Sequence, residues 1–198
     1  MGDADWRGYY AATLGRKPRP LFSRAIEHAS SPGQAIEIGF GDGTEVLALL
    51  KRGWRVLAVD PEPRAAEILR HRVAKADRDR LTIATASADE VDLPPFDFLY
   101  AGYSLPFLER TALGRAWMRF RAQLRPGGLL AVNLFGPNDS WASRPDMSFV
   151  DRDALLGLVD GLDVLVLDEQ ERDGDAYSGP KHWHVFDLIA RQPKDISG

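Results

Sequence analysis

Residues 37–44 read Glu37-Ile38-Gly39-Phe40-Gly41-Asp42-Gly43-Thr44, and this octet decides the fold. Three glycines at alternate positions follow a short apolar run, Ala35-Ile36-Glu37-Ile38. They precede a stretch at helical spacing over 44–50, where Val46, Leu47, Leu49 and Leu50 supply the apolar side. Glycine permits a sharp turn and lets the backbone come against a ligand, and a helix start offers unused amide donors. Gly53 then turns the chain into a second apolar strand, Arg55-Val56-Leu57-Ala58-Val59, which stops at Asp60-Pro61. In an open parallel sheet both loops lie at the same carboxyl edge, so the Asp60 carboxylate is placed to take both hydroxyls of a ribose.

Outward from this pair the alternation continues. Residues 63–76 carry Ala, Ile and Leu at helical spacing, and 81–84, 96–100 and 129–134 are short apolar strands. Residues 106–124 form a long helix that ends at the turn Arg125-Pro126-Gly127-Gly128. Residues 151–159 are a further helix, with Asp151 as its cap. Two strands at 162–168 and 182–190 are separated by a polar loop, 169–181, too short for a crossover helix, so they pair as an antiparallel hairpin. The fold class is α/β: a Rossmann-like, seven-stranded, mostly parallel sheet with helices on both faces and a C-terminal antiparallel hairpin. Upstream, 21–29 is an amphipathic helix, and Trp6, Tyr9 and Tyr10 precede it as a lid. The expected division is 1–30 as a lid and helix packed on the core, and 31–198 as the main domain.

The 198 residues are 44% hydrophobic and 27% charged, with a net charge of -4, which suits one globular domain. Zero cysteines exclude a disulfide scaffold, a cysteine-built zinc site and a thiol nucleophile, and fit a cytoplasmic protein. The acidic start has neither the basic region nor the apolar core of a secretory leader, and no apolar stretch is long enough to span a membrane. The acidic balance offers no general attraction to nucleic acid or anionic lipid, and no basic groove with a stacking platform is legible. Neither a nucleic-acid nor a membrane partner is therefore expected. The assembly is monomer or homodimer, since no interface can be read.

A dinucleotide site needs glycine at the sixth position of its glycine pattern, and Thr44 stands there. A nucleoside ligand without a pyrophosphate fits better, which leaves an NAD-dependent oxidoreductase as the weaker reading. The ordered motifs resemble class I S-adenosylmethionine-dependent methyltransferases of the small-molecule type, and are similar to the tellurite-resistance-like branch. Residues 37–43 match the family's first motif, Asp60 its ribose acid, and Ala88-Asp89-Glu90-Val91-Asp92-Leu93-Pro94 the stretch whose first acid holds the adenine amine. Residues 96–106, FDFLYAGYSLP, resemble the strand and loop that shape the methyl-transfer mouth, and 124–128 the turn before the fifth strand. The likeness extends through 133–136, 139–141 and 181–184. It implies S-adenosyl-L-methionine as cofactor and S-adenosyl-L-homocysteine as product, held by Glu37, Gly39, Phe40, Gly41, Gly43, Asp60, Pro61, Asp89 and Tyr100. Phe40 stands where many relatives have Cys or Ala, and its backbone is the working part.

On the acceptor side, Tyr103 and Ser104 fall just past the fourth strand, where Gly102 lets the chain bend. Tyr103 is a candidate catalytic residue and Ser104 a substrate contact; the bland alternative is that Tyr103 covers apolar surface. His182 and His184 alternate with Trp183, so on a strand both imidazoles face one side and Trp183 the other. The pair are candidate proton acceptors or hydrogen-bonded supports; metal binding would require further ligands, and no metal is expected. Lys181 and Arg16 are candidates for an anionic substrate, with Arg16 alternatively taking the cofactor carboxylate or lying in a solvated connection. Tyr10, Tyr103 and Trp141 offer aromatic faces to a sulfonium. The implied reaction is in-line methyl transfer to a small O, N, S or metalloid nucleophile, catalysed by positioning. The alternative keeps the same pocket in a non-catalytic regulatory protein. Replacing His184 by Ala is expected to reduce turnover more than cofactor affinity.

Overall fold

In the computed structural model, residues 6–29 and 31–194 are described, so the edges of the expected lid, residues 1–5 and 30, lie outside the described residues, as do 195–198 and the side chain of Trp6. Seven strands form one sheet in the order β3-β2-β1-β4-β5-β7-β6. They are β1 (Gln34–Ile38), β2 (Arg55–Val59), β3 (Leu81–Ala84), β4 (Phe96–Ala101), β5 (Leu124–Phe135), β6 (Asp163–Ala176) and β7 (Gly179–Arg191). The first five run parallel, and β7 pairs antiparallel with both β5 and β6. Strand order reverses between β1 and β4, and that is where an open α/β sheet leaves a crevice at its carboxyl edge.

Six helices cover the sheet: α1 (Trp6–Thr13), α2 (Pro20–His28), α3 (Thr44–Lys51), α4 (Pro63–Arg72), α5 (Arg110–Gln123) and α6 (Arg152–Leu158). Both faces of the central strands are apolar, because each has a helix layer to bury it. On one face Ile36, Leu99, Leu130 and Val132 pack with Leu113, Trp117 and Phe120 of α5 and Leu155 of α6. On the other, Ala35, Phe98, Tyr100 and Ala131 pack with Leu21, Phe22 and Ala25 of α2, Val46 and Leu49 of α3 and Leu69 of α4. Phe22 meets Tyr100 edge-on at 5.2 Å between ring centroids. The Asp151 side chain caps α6 by accepting from Ala154 N at 2.8 Å.

Four local expectations are corrected. The helix expected over 63–76 stops at Arg72, and a 3-10 segment, Lys75–Arg80, replaces its end. The helix expected from 106 is preceded by a separate 3-10 turn, Leu105–Phe107, and starts at Arg110. The largest difference is at 169–181: both strands extend through the expected loop, leaving only Tyr177 and Ser178 as the turn. That ribbon runs beyond the helix layers, so neither of its faces needs to be apolar and the period-two signal of a half-buried strand is missing. The expected turn at 125–128 lies within β5 as an irregularity, with Leu124 opposite Phe96 and Leu129 opposite Phe98.

Candidate active site

The loop after β1 and the loop after β4 meet at the crevice. Gly39, Gly41 and Gly43 all have positive φ, 69°, 54° and 76°. A Cβ on Gly39 would lie 2.2 Å from Ser104 Cβ, and the Ser104 hydroxyl donates to the Ile38 carbonyl at 2.7 Å. The two loops therefore lock together only with glycine at position 39. Gly43 serves packing: a Cβ there would lie 2.7 Å from Leu69 Cδ1, so this glycine lets α3 approach α4.

Above these loops lies a cavity of about 840 Å³, near the upper end of the range for ligand pockets. Its floor holds Gly39, Phe40, Gly41, Asp60, Pro61 and Tyr100, and its other members among the expected residues are Glu37, Tyr10, Arg16, Tyr103, Ser104 and Trp141. Five expected residues do not line it: Gly43, Asp89, Lys181, His182 and His184.

The β1–β2 end is acidic. Asp60 is buried at the end of β2, where its carboxylate accepts from Gly41 N at 2.9 Å and Glu62 N at 3.0 Å, with the Tyr10 hydroxyl at 3.5 Å. Burial raises its pKa, against the opposing pull of those donors. Glu37 is fully enclosed and its Oε2 has no partner among the described residues; the same holds for the Tyr100 hydroxyl, opposite Glu37 in register on β4. Burial, with Glu45 nearby, pushes the Glu37 carboxyl well above the usual range. Arg16 is committed to this end: its guanidinium makes two 2.5 Å bonds to Glu45 and lies 3.5 Å from Asp42.

These residues fit S-adenosylmethionine. Two enclosed polar atoms without partners point to a polar ligand. The acid-rich wall matches a sulfonium and an ammonium, and the glycine cradle is closed to a Cβ at position 39.

The opposite end is aromatic and basic. Tyr103, Phe107, Phe135, Trp141 and Trp183 line it, with Arg19, Arg144 and Arg172. Tyr103 has φ 57°, a left-handed conformation rare outside glycine, and such strain gathers where a side chain must be aimed. Burial raises its phenol pKa, so it holds its proton at neutral pH. Trp183 meets Tyr103 edge-on at 5.9 Å and Phe135 at 5.8 Å. The roof comes from α1 and the hairpin turn, where Tyr9 and Tyr177 touch edge-on at 6.0 Å.

His182 and His184 lie on the hairpin face away from the rings, while Trp183 faces the cavity, as alternation along β7 requires. His184 is buried, its Nδ1 accepts from Asn138 N at 3.2 Å, and its Nε2 therefore carries the proton shared with Glu169 at 3.1 Å. Glu169, Glu171 and His184 lie close enough together to hold a cation, with both ring nitrogens of His184 engaged here by Asn138 N and Glu169. His182 is half-buried and paired with Asp173 at 2.7 Å. Lys181 is buried in an ion pair with Asp139 and surrounded by the rings of Phe135, Trp141 and Trp183, with Nζ 4.2–4.8 Å from their centroids. It supports the aromatic wall from behind. Asp89 accepts from Ser87 at 2.5 Å and Arg115 at 2.6 Å.

Sequence reasoning passed over Trp183, Phe135, Phe107 and Arg172 as site residues; Arg19 belonged to the basic run 16–20 read as a possible contact of an anionic substrate or the cofactor carboxylate, from which Arg16 alone was singled out. The signal for Trp183 was available, because a strand that turns two histidines one way turns the intervening residue the other. Arg172 had none, since its segment read as a loop.

The pattern of a methyltransferase domain matches residues 35–128. A probable ribosomal RNA small subunit methyltransferase A of Methanospirillum hungatei is 40% identical over 73 residues, 36% of this chain and 28% of that protein. The chain thus spans under a third of the length of the curated relatives it matches. TehB from Haemophilus influenzae superposes with a TM-score of 0.72 at 16% identity, covering 94% of this chain and 67% of that one. The N-methyltransferase NodS from Bradyrhizobium japonicum, solved with S-adenosyl-L-homocysteine, gives 0.68 at 15% identity over 96% of this chain and 100% of that one. With the reversal of strand order at the glycine loop and the antiparallel β7, these likenesses establish that the chain has the class I S-adenosylmethionine-dependent methyltransferase fold.

Proposed function

We propose that the protein transfers a methyl group from S-adenosylmethionine to a small-molecule acceptor. The observation that carries this reading is one continuous cavity whose acidic end is built on the glycine loop and whose aromatic end is roofed by α1 and the hairpin. When bound, the cofactor supplies an electrophilic methyl carbon on a sulfonium, so that the acceptor's lone pair forms the new bond as the carbon–sulfur bond breaks and sulfur keeps its pair.

The chain's own residues bind and orient. Asp60, held by the amides of Gly41 and Glu62, takes the ribose hydroxyls, displacing the long contact from Tyr10. Pro61 and Phe40 border the adenosine, while Glu37 and Tyr100 face the amino-acid end with their unpartnered oxygens. Asp89 joins as an adenine contact only by sharing its carboxylate with Arg115. Tyr10, Tyr103 and Trp141 exclude water, which strengthens every electrostatic contact inside. Neither histidine of β7 is needed to move a proton at the aromatic end. Residues 1–30 serve as the lid and 31–198 as the transfer domain.

Although the curated relatives are named for ribosomal RNA, a small acceptor is favoured by the roofed mouth and the net charge of -4. None of the helices among the described residues is long and apolar enough to cross a membrane. A cytoplasmic protein acting as monomer or homodimer is part of the same proposal.

Calorimetric titration with S-adenosylmethionine, S-adenosylhomocysteine and NAD tests it. One-to-one binding of the first two and none of NAD is expected, followed by S-adenosylhomocysteine formation in an acceptor screen. Binding of NAD alone would replace the reading with a redox one. Tight cofactor binding with no turnover on any small acceptor would favour a regulatory role.

A further inference from the structure

The aromatic end carries more information than its shape. Arg16 and Arg144 both have carboxylate partners, Glu45 and Asp146 respectively. Among the described residues neither the Arg19 nor the Arg172 guanidinium has a carboxylate within ion-pair distance: Arg19 donates from its backbone N to Glu45 at 3.0 Å and from its guanidinium to the Tyr9 hydroxyl at 2.8 Å, and lies with Cζ 4.9 Å from the Tyr103 ring centroid. Arg172 is exposed on β6 with Cζ 5.8 Å from the Trp183 ring centroid, and its charge favours the ionised form of the Tyr103 phenol. The two guanidiniums thus flank one tyrosine, reached from opposite ends of the chain. A third donor is close by. The Trp183 indole N–H is enclosed and has no partner among the described residues. A Cβ on Gly174 would lie 3.3 Å from Arg172 Nη1 and 3.7 Å from Trp183 Nε1, which places both donors beside the same point of the hairpin.

Two guanidiniums without an ion-pair partner, half-buried Arg19 and exposed Arg172, beside an enclosed indole donor favour acceptor oxygens carrying negative charge. The surrounding edge-to-face rings offer their remaining surface to another flat ring. We propose that the methyl acceptor is a planar aromatic anion, a carboxylate or phenolate, stacked among Tyr103, Trp141 and Trp183 with its charged group held by Arg19 and Arg172. The inference rests on the methyl-transfer reading and narrows its acceptor. An anionic nucleophile of this kind arrives without a proton to lose and needs no general base.

The test is binding to full-length protein saturated with S-adenosylhomocysteine, read by calorimetry and by tryptophan fluorescence. The probes are 2-naphthoate, 2-naphthol at neutral pH and 2-naphthylmethylammonium, which share a ring system and differ in charge. Naphthoate is expected to bind at least tenfold more tightly than naphthol, and the ammonium not to saturate. In Arg172→Ala the preference for naphthoate over naphthol falls at least tenfold while S-adenosylhomocysteine affinity stays within twofold; Arg172→Lys recovers part of it. Arg19→Ala behaves as Arg172→Ala does. Equal binding of the three probes, or a charge preference that survives both substitutions, overturns the anionic acceptor. If Arg19→Ala instead loses S-adenosylhomocysteine affinity, that arginine serves the cofactor and the two-arginine clamp is wrong. Failure to bind S-adenosylhomocysteine at all would sink the underlying methyl-transfer reading, and is scored separately by the titration that precedes the probes.

Discussion

Asp60 concentrates the site's chemistry in one carboxylate. Its two backbone donors fix its orientation, and its remaining lone pairs face the cavity. Asp60→Ala is expected to weaken S-adenosylhomocysteine binding by about 1.5–3 kcal/mol, roughly 10- to 100-fold, because charge-assisted bonds to hydroxyls are lost. Calorimetry reads this directly, and unchanged affinity would remove Asp60 from the site. His182 makes a different prediction at the same scale. Asp173, then Glu171, stabilise its imidazolium and raise its pKa above the ordinary 6.5. A group whose folded pKa is raised contributes stability that is complete below its unfolded value and is lost as pH climbs through the folded one. Proton NMR should find His182 titrating above 6.5, and Asp173→Asn should bring it down. A strong effect of Asp173→Asn on turnover would return His182 to the catalytic list.

At the scale of elements, the β6–β7 ribbon does two jobs with opposite faces. Trp183 and Arg172 serve the cavity, while His184 fills the space under the strand end at Gly136. A Cβ on Gly136 would lie 2.3 Å from His184 Cε1, so the glycine and the histidine are one packing unit. Gly136→Ala is expected to lower the melting temperature sharply, and His184→Ala to lower it through a lost hydrogen bond and a void. In the double variant the two costs should be subadditive, since the added methyl occupies space the imidazole vacates. Thermal melts of the four proteins measure this, and additivity would show that the residues do not share a space. Any loss of turnover in His184→Ala then follows from movement of the 136–141 segment.

Across the whole molecule the cavity is polarised. Glu37, Glu45 and Asp60 stand at one end and Arg19 and Arg172 at the other, brought together from four strands or helices and the hairpin. A ligand held by so many separate elements binds only the folded chain, so it shifts the folding equilibrium by mass action. S-adenosylhomocysteine at 100 times its dissociation constant should add about 2.7 kcal/mol of stability, which for a chain of this size is roughly 5–10 °C in melting temperature. Scanning calorimetry with and without ligand checks the shift, and its loss in Asp60→Ala ties it to this cavity.

Much of this was legible before any coordinates. The glycine octet, the apolar strands and Asp60 speak through covalent geometry and short-range pattern, because a left-handed turn needs glycine and a strand buried on both faces must be apolar throughout. The crossover order and the location of the glycine-loop crevice follow from those local facts. What tertiary structure alone decided is the aromatic end of the cavity. Arg16 turned out to be spent on Glu45, Lys181 lies sealed behind the rings, and Arg19 meets Arg172 across Tyr103 from 153 positions away in the chain. The ribbon that carries Arg172 has no apolar face to announce it, and which cation finds a carboxylate is set by long-range packing that no local period encodes.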